Sequence, residues 1–393
     1  MHPNHLPSRI ESALGSFDQA YEEGIRHFIL AYSGGKDSTT VAILLYEWLL
    51  SRKPSDVAVT VVHNDTLSEL IEVESWVRGF MDNYVNKLRE LGIVVNDVIL
   101  TPKITDTWYW RTIVRGYSAP NFKYRWCVDL LKIAPLKSFL SIKFDDYVNY
   151  IVVVGLRESE STYRVQSVPN RFGSCISNQS CAGYYIAMNN DIPKLAPIRD
   201  WDASDVMAYL TTQRHFNVEP LLKLYNVNAR FGCWHCTLAS HRIRRMPNPY
   251  YDVVRLLYRS VTDLLEFRTI DAKHHRATAI NEYGRYVIWK SLEIAKRLSG
   301  KSLFYGLDYA KVKVHSKTYS LRELFYELPC KDADRIIKIL DDSGRFISMC
   351  RIRNAKPSND MLQRLAWWSR SLVNNLPDND PIIETLNNVL NNL

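Results

Sequence analysis

The sequence predicts an α/β fold, a mostly parallel twisted sheet with helices on both faces, followed by a helical C-terminal region. Three observations carry this. Short β-branched apolar runs alternate with longer runs whose apolar residues recur at helical spacing. From about residue 245 onward the pattern is largely helical. The 393 residues, 46% of them hydrophobic, can bury a substantial core, yet they exceed what one core usually fills.

The elements follow in order. Residues 27–32 (HFILAY) read as a buried strand, the small polar turn SGGKDS follows, and TTVAILLYEWLL then continues as an apolar helix that stops at Ser51–Pro54. The run at Val57–Val62 (VAVTVV) is rich in β-branched residues and reads as a second strand. A helix is expected over about Glu69–Leu91, with strand-like VVNDVIL after Gly92. YVNYIVVVGL, ending near Leu156, is a further buried strand. WDASDVMAYL opens a helix with a capping signal, since Asp or Ser accepts hydrogen bonds from first-turn amides. Beyond it, YDVVRLLYRSVTDLLEFR, RYVIWKSLEIAKRLSG, ADRIIKILDDSG and NDMLQRLAWWSRSLVNNL carry helical spacing, as does the Asn-rich tail. The expected organisation is an N-terminal helical segment (1–24), an α/β domain (25–210), a cysteine-bearing segment (211–245) and a helical region (246–393).

Composition narrows the function classes. No run of about 18 apolar residues is present, which argues against a membrane span. The first residues, MHPNHLPSRIESALGSF, lack the apolar core of a secretory signal, so a cytoplasmic protein is expected. The net charge of +8 and the pI near 9.0 suit either an ordinary solvated basic surface or one that attracts nucleic acid. Seven cysteines are too few for a disulfide-built scaffold of this size. Two of them, Cys233 and Cys236, form a CxxC pair, which without a secretory signal more often marks a metal or redox site.

The chemistry-bearing residues follow strand ends, where ligands bind in parallel sheets. Ser33, Gly34, Gly35, Lys36, Asp37 and Ser38 sit between a strand and a helix. Two glycines let the backbone turn tightly, and the next helix offers unpaired amides to an anion. The Walker spacing GxxxxGK[ST] is absent. His63-Asn64-Asp65-Thr66 follows the second strand, either beside a nucleotide or simply capping the next helix. Arg157 and Arg164, after the later strand, carry planar forks suited to phosphate or sulfate, or pair with Glu158 and Glu160. Lys123 and Lys132 could join that basic wall or be solvated. Trp108, Tyr109 and Trp110 could stack on bases or belong to the core, and the basic run at 240–245 could hold a phosphate backbone or form a solvated face.

SGGKDS on this background resembles the PP-loop of the ATP pyrophosphatase superfamily (adenine nucleotide α-hydrolase-like). The resemblance implies that ATP is cradled by its β,γ-phosphates and attacked at the α-phosphate, releasing pyrophosphate. Lys36 would stabilise the leaving group, and magnesium would lie near Asp37 or Asp65. Asp65-Thr66 resembles the Asp-Thr beside the nucleotide in the sulfonucleotide reductase branch. Three segments narrow the branch: Arg115-Gly116-Tyr117-Ser118-Ala119-Pro120 with Tyr124 to Ile133, Gly155 to Ser161, and Arg230-Phe231-Gly232-Cys233-Trp234-His235-Cys236. Together they look like the sulfur-transfer subunit of DNA phosphorothioation systems (Dnd type), a relative of PAPS reductase. That likeness spans about residues 25–240.

It implies a DNA backbone phosphate as acceptor, with a cysteine desulfurase and other modification subunits as partners. A homo-oligomer is possible, and Cys127 and Arg157 would join Lys36 and Asp37 as catalytic residues. Both branches can hold a [4Fe–4S] cluster on four thiolates. Cys233, Cys236 and Cys127 are the natural ligands here, with Cys175 or Cys181 as the fourth. Zinc is the alternative, and Cys175 with Cys181 could instead carry sulfur as a persulfide. The departures are that residues 211–232 lack two expected cysteines and that Val128 stands where APS reductases double the cysteine. His235 is expected to be packed or exposed rather than a ligand, and Cys330 and Cys350 to be core residues. Two other functions stay open. One is a PAPS or APS reductase, which needs a cysteine near the C terminus although none lies beyond Cys350. The other is a non-catalytic ATP- and nucleic-acid-binding subunit.

Overall fold

In the computed structural model, four strands expected from the sequence align in one sheet: β1 (His27–Ala31), β2 (Ala58–Asn64), β3 (Val94–Leu100) and β4 (Tyr150–Val154). The structure describes all residues except 1–4, 122, 144–148, 161–184, 187–191, 226–231, 239–245, 272–275, 342 and 345. The short strands β5 (Tyr185–Ile186) and β6 (Lys194–Leu195) complete the order β3-β2-β1-β4-β6-β5. All neighbours run parallel except β5 against β6, so the expected mostly parallel sheet is found. Strand β1 is central, pairing His27 to Ala31 with Ala58 to Val62 on one side and with Tyr150 to Val154 on the other. Its Phe28, Ile29 and Leu30 are buried in succession, the pattern of a strand covered on both faces.

The chain divides into two compact units that interleave along the sequence. The first comprises residues 1–64, 72–100 and 136–231 and contains the sheet. Helix α1 (Leu6–Glu22), α2 (Lys36–Arg52) and most of α3 (Ile71–Glu90) belong to it. Phe17 of α1 meets Phe28 of β1 and Trp48 of α2 at ring-centroid distances of 6.1 and 5.9 Å. Trp48 donates its indole N–H to Asp18 at 3.0 Å, so the buried ring keeps its polar atom satisfied. The helix at Ala203–Thr212 begins as expected: Asp202 accepts from the amides of Ser204 and Asp205, and Asp205 accepts in return from the Asp202 amide.

The second unit comprises residues 65–71, 101–135 and 232–393. Its helices at Pro249–Asp263, Glu282–Ser299, Cys330–Leu340, Asn359–Ser371 and Pro381–Leu390 match the helical runs of the sequence. Two antiparallel hairpins interrupt them, β7 (Arg268–Asp271) with β8 (Arg276–Ile280) and Lys311–Val314 with Lys317–Ser320. Trp108, Tyr109 and Trp110 are completely buried in this unit, which makes them core residues and removes them as stacking platforms. Cys330 and Cys350, expected as core thiols, are instead half-buried and joined as a disulfide. No helix of the described residues is long and apolar enough to cross a membrane.

Candidate functional site

Two clusters of chemistry-bearing residues emerge, one in each unit. The first is the turn from Ser33 to Ser38, between the carboxyl end of β1 and α2. Gly34 adopts φ of +73°, and a Cβ there would lie 2.1 Å from Val77, so only glycine fits on both counts. Trp76 donates its indole N–H to the Gly34 carbonyl at 3.1 Å and fixes the turn from above. Ser38 Oγ accepts from the Ser33 amide at 3.2 Å and donates to the Gly35 carbonyl at 3.0 Å. No side chain caps α2, which leaves first-turn amides to face an anion, aided by the positive end of the helix dipole.

Gly155 belongs to the same construction. A Cβ there would come within 2.7 Å of the Asp37 and Ser38 backbone, so the β4 end packs directly on the loop. Arg157 follows. Its Nε donates to Asp37 at 2.7 Å, and its two terminal nitrogens reach Ser159 at 2.9 Å and Asp37 at 3.5 Å. Arg157 is 3% exposed. It therefore braces the loop through Asp37, where the sequence suggested a fork open to ligand oxygens. Lys36 is also buried, with its ammonium 5.5 Å from the Tyr225 ring centroid. Arg164 lies outside the described residues.

The second cluster lies wholly in the second unit. Asp65 accepts from the Leu67 amide and from the Tyr305 hydroxyl, both at 2.7 Å. Thr66 donates to Glu69 at 3.0 Å and lies 3.4 Å from the Cys233 sulfur, which in turn donates to Glu69 at 3.4 Å. The Trp234 amide donates to the Ser68 carbonyl at 2.9 Å and ties the CxxC segment to the loop after β2. Burial, then the neighbouring Cys236, pushes the Cys127 thiol up to about 11; burial and Glu69 push Cys233 higher still. Lys132 stands beside them. Its proximity to Cys233, then to Glu69, Cys236 and Cys127, raises its ammonium above the ordinary range against the cost of desolvation. Lys132 is thus a cation of the thiol site. Its place follows from the π-helical turn Asp129–Ile133, which carries it round from Cys127.

His235 packs, one of the two placements expected for it. It is buried against Trp108, the rings stacked at 5.2 Å, and burial pushes its pKa down to about 3. Among the described residues no group of three or more His, Cys, Asp or Glu side chains is placed to hold a metal ion. Cys127, Cys233 and Cys236 thus do not form a metal site as they stand, and Cys175 and Cys181 lie outside the described residues. Asp37 turns to Arg157 and Asp65 to Tyr305, so neither carboxylate is presented as a ready magnesium ligand. The basic run at 240–245 lies outside the described residues as well.

This fold and its glycine-tight loop match a known class. The family model for the phosphoadenosine phosphosulfate reductase domain matches residues 27–239, more than half of the chain. The chain belongs to that family, and its first unit carries the nucleotide-binding sheet. Two uncharacterized proteins of Methanocaldococcus jannaschii are similar: MJ0066, 27% identical over 226 residues, and MJ0973, 26% identical over 210. These matches cover 57% and 53% of this chain, which spans only 39% and 41% of the two relatives. Among solved structures, the U34-tRNA thiolase NcsA of Methanococcus maripaludis, determined with its [4Fe-4S] cluster, is 12% identical with a TM-score of 0.31. That match covers 75% of this chain and 79% of the thiolase. Candida glabrata FMN adenylyltransferase, solved with FMN and an ATP analogue, is 11% identical with a TM-score of 0.31, covering 52% and 55%. At that score neither structural likeness bears on the chemistry here.

Proposed function

We propose that this chain binds ATP at the Ser33–Ser38 loop, cleaves it between the α- and β-phosphates, and uses the adenylated acceptor for sulfur transfer. The observation that carries the reading is the loop itself: a left-handed Gly34 and an uncapped helix start at the carboxyl end of the central strand. An acceptor oxygen attacks the α-phosphorus and the bond to the β-phosphate oxygen breaks, with pyrophosphate leaving. Lys36 and the first-turn amides offset the charge that develops on the leaving oxygens. Arg157 acts through Asp37, holding the loop in the shape that receives them. A persulfide sulfur on one of the thiols, Cys127 or Cys233, then attacks the acceptor phosphorus and AMP leaves. A second thiol attacks the resulting S–S bond, which releases the phosphorothioate and leaves a cysteine disulfide for an external thiol donor to reduce. Burial keeps the Cys127 and Cys233 thiols protonated, and Lys132 beside them offsets part of that cost when one of them carries the incoming sulfur.

The acceptor we favour is a DNA backbone phosphate, and the sulfur source a cysteine desulfurase; both follow from the Dnd-type resemblance of the motifs. A [4Fe–4S] cluster or zinc on Cys127, Cys233, Cys236 and either Cys175 or Cys181 belongs to the same resemblance. No step above is routed through it.

The test of the ATP reading is the product pair. ATP with protein, an oligonucleotide and a sulfur source (cysteine with a cysteine desulfurase and a thiol) should yield AMP and pyrophosphate in equal amounts, abolished by Lys36→Ala; ADP and inorganic phosphate would overturn it. Iron and acid-labile sulfide in anaerobically purified protein test the cluster. About four of each per chain, lost in Cys233→Ala, would support it, and iron-free protein that still releases pyrophosphate would exclude it. The family description itself favours one rival, reduction of PAPS or APS. Sulfite formed from either substrate with a thiol donor and no ATP would replace the reading above.

A further inference from the structure

We infer that the second unit carries a docking cleft for a single-stranded phosphodiester chain, built around Arg268 and Arg285. A cavity of about 1070 Å³ opens there, lined by the Arg115–Ser118 turn, Tyr124, the β7–β8 hairpin, the start of the Glu282–Ser299 helix and Arg351. This volume lies above the range of about 300–1,000 Å³ usual for small-molecule sites. Four arginines line it against a single carboxylate, Glu282.

Two of these arginines are spoken for. Arg115 donates to both oxygens of Asp341, at 2.6 and 2.9 Å, and Arg351 donates to Glu282 at 2.6 Å. The other two are not neutralised in this way. Arg285 is 3% exposed and spends Nε on the Ile280 carbonyl at 2.7 Å and a terminal nitrogen on the Val114 carbonyl at 2.6 Å. Its guanidinium lies flat on Gly116, where a Cβ would approach it within 2.3 Å. Arg268 donates to the carbonyls of Thr262 and Ala277, at 2.7 and 3.3 Å, and its Nε is buried with no partner among the described residues. Carbonyl dipoles orient these groups without cancelling their charge. Burial lowers both pKa values, Arg285 to about 10, so both stay cationic at neutral pH.

Buried cations held directly only by carbonyls, with Glu282 acting on Arg285 and Asp263 on Arg268 at longer range, are costly unless an anion completes them. Tyr124, 53% exposed, and Tyr117 add aromatic faces to the same lining. Cations and aromatic rings lining one groove are the recognition chemistry of single-stranded nucleic acid, in which phosphates meet cations and bases stack. The Arg-Gly-Tyr segment at 115–117 thereby acquires a use that the ATP loop does not give it.

This inference rests on the reading of a nucleic-acid acceptor given above. It is tested without ATP, so loss of pyrophosphate chemistry and loss of strand binding are read separately. Fluorescence anisotropy with a labelled oligothymidylate of about twelve nucleotides should give an affinity that falls with salt, with a log–log slope of about −1.4 for two phosphate contacts. Arg268→Gln should weaken binding about fivefold and reduce that slope by about 0.7, while Tyr124→Ala should weaken it about tenfold and leave the slope unchanged. Melting curves check that the variants are folded. Should Arg268→Gln melt early, Thr278→Glu on the exposed lining takes its place and must weaken binding by a similar factor. Wild-type affinity in Tyr124→Ala and in either charge variant would overturn the cleft. So would inorganic phosphate or AMP binding through Arg268 as tightly as the oligonucleotide, which would make it a small-anion site.

Discussion

The phosphate loop and the thiol site are built on opposite principles. The loop is made of backbone: Gly34 in the left-handed region, Gly155 against the backbone of the next turn, serine hydroxyls closing on neighbouring amides. Nearly all of it lies within six consecutive residues. The thiol site is made of side chains from three separate stretches, Thr66–Glu69, Cys127–Lys132 and Cys233–Cys236, and each is chemically incomplete alone. A backbone site tolerates almost no change in shape, whereas a side-chain site tolerates reshaping but no change of charge.

The largest expected effect tests the first half of that contrast. Gly34→Ala must place a β-carbon in the left-handed region and into Val77, which should cost about 2–4 kcal/mol in stability and remove pyrophosphate release entirely. If Gly34→Ala keeps even a tenth of the rate, the loop is not shape-limited. Next in size is Arg157→Lys. Lysine keeps the charge but cannot grip Asp37 and Ser159 together, so pyrophosphate release should fall about tenfold with little change in the apparent affinity for ATP. A change in affinity alone would mean that Arg157 meets the nucleotide directly.

That difference also governs what the sequence reveals. Strands β1 to β4, the loop residues Ser33 to Ser38 and the Asp202 cap are local patterns, and each appears where the sequence puts it. Lys132 shows the limit. Its spacing from Cys127 is visible, but its companions Glu69 and Cys233 are brought to it only by the folded chain. The Trp108–Trp110 run has the composition of a stacking platform, and only burial reveals it as core. The β7–β8 hairpin escaped notice because RATAI and RTID are short and polar, without the apolar alternation that marks a strand. Arg285 looks like an ordinary helix-surface charge until its contacts with Val114 and Gly116 are seen.

The second unit extends the contrast to stability. Asp341 is buried and accepts from Trp110 at 2.9 Å, from Arg115 twice, and from Ser343 at 2.5 Å. Burial opposes its charge, but these donors prevail and hold its carboxyl well below the usual carboxylate range. Its folded pKa is therefore depressed, so the stabilisation is complete above the unfolded value near 3.9 and is lost as pH falls below about 4. Asp341→Asn should cost about 1–3 kcal/mol at pH 7 and flatten the acid limb of the stability curve. An acid limb equal to that of the unaltered protein would place the acid sensitivity elsewhere.

The smallest effect is the most local. Asp202 caps its helix through contacts only two and three residues away, accepting from Ser204 at 2.7 Å and from Asp205 at 2.9 Å. Asp202→Ala removes both, while the Asp205 carboxylate still accepts from the amide of residue 202. The expected cost is about 1 kcal/mol, with Asp202→Ser recovering most of it because a hydroxyl serves the same amides. Because these partners are adjacent in sequence, the loss should be the same at pH 5 and pH 8, unlike the acid-sensitive loss at Asp341. A cost above about 3 kcal/mol would show that this carboxylate also serves Arg9, which pairs with Asp205 beside it, and that even a cap legible in the sequence carries a long-range contact.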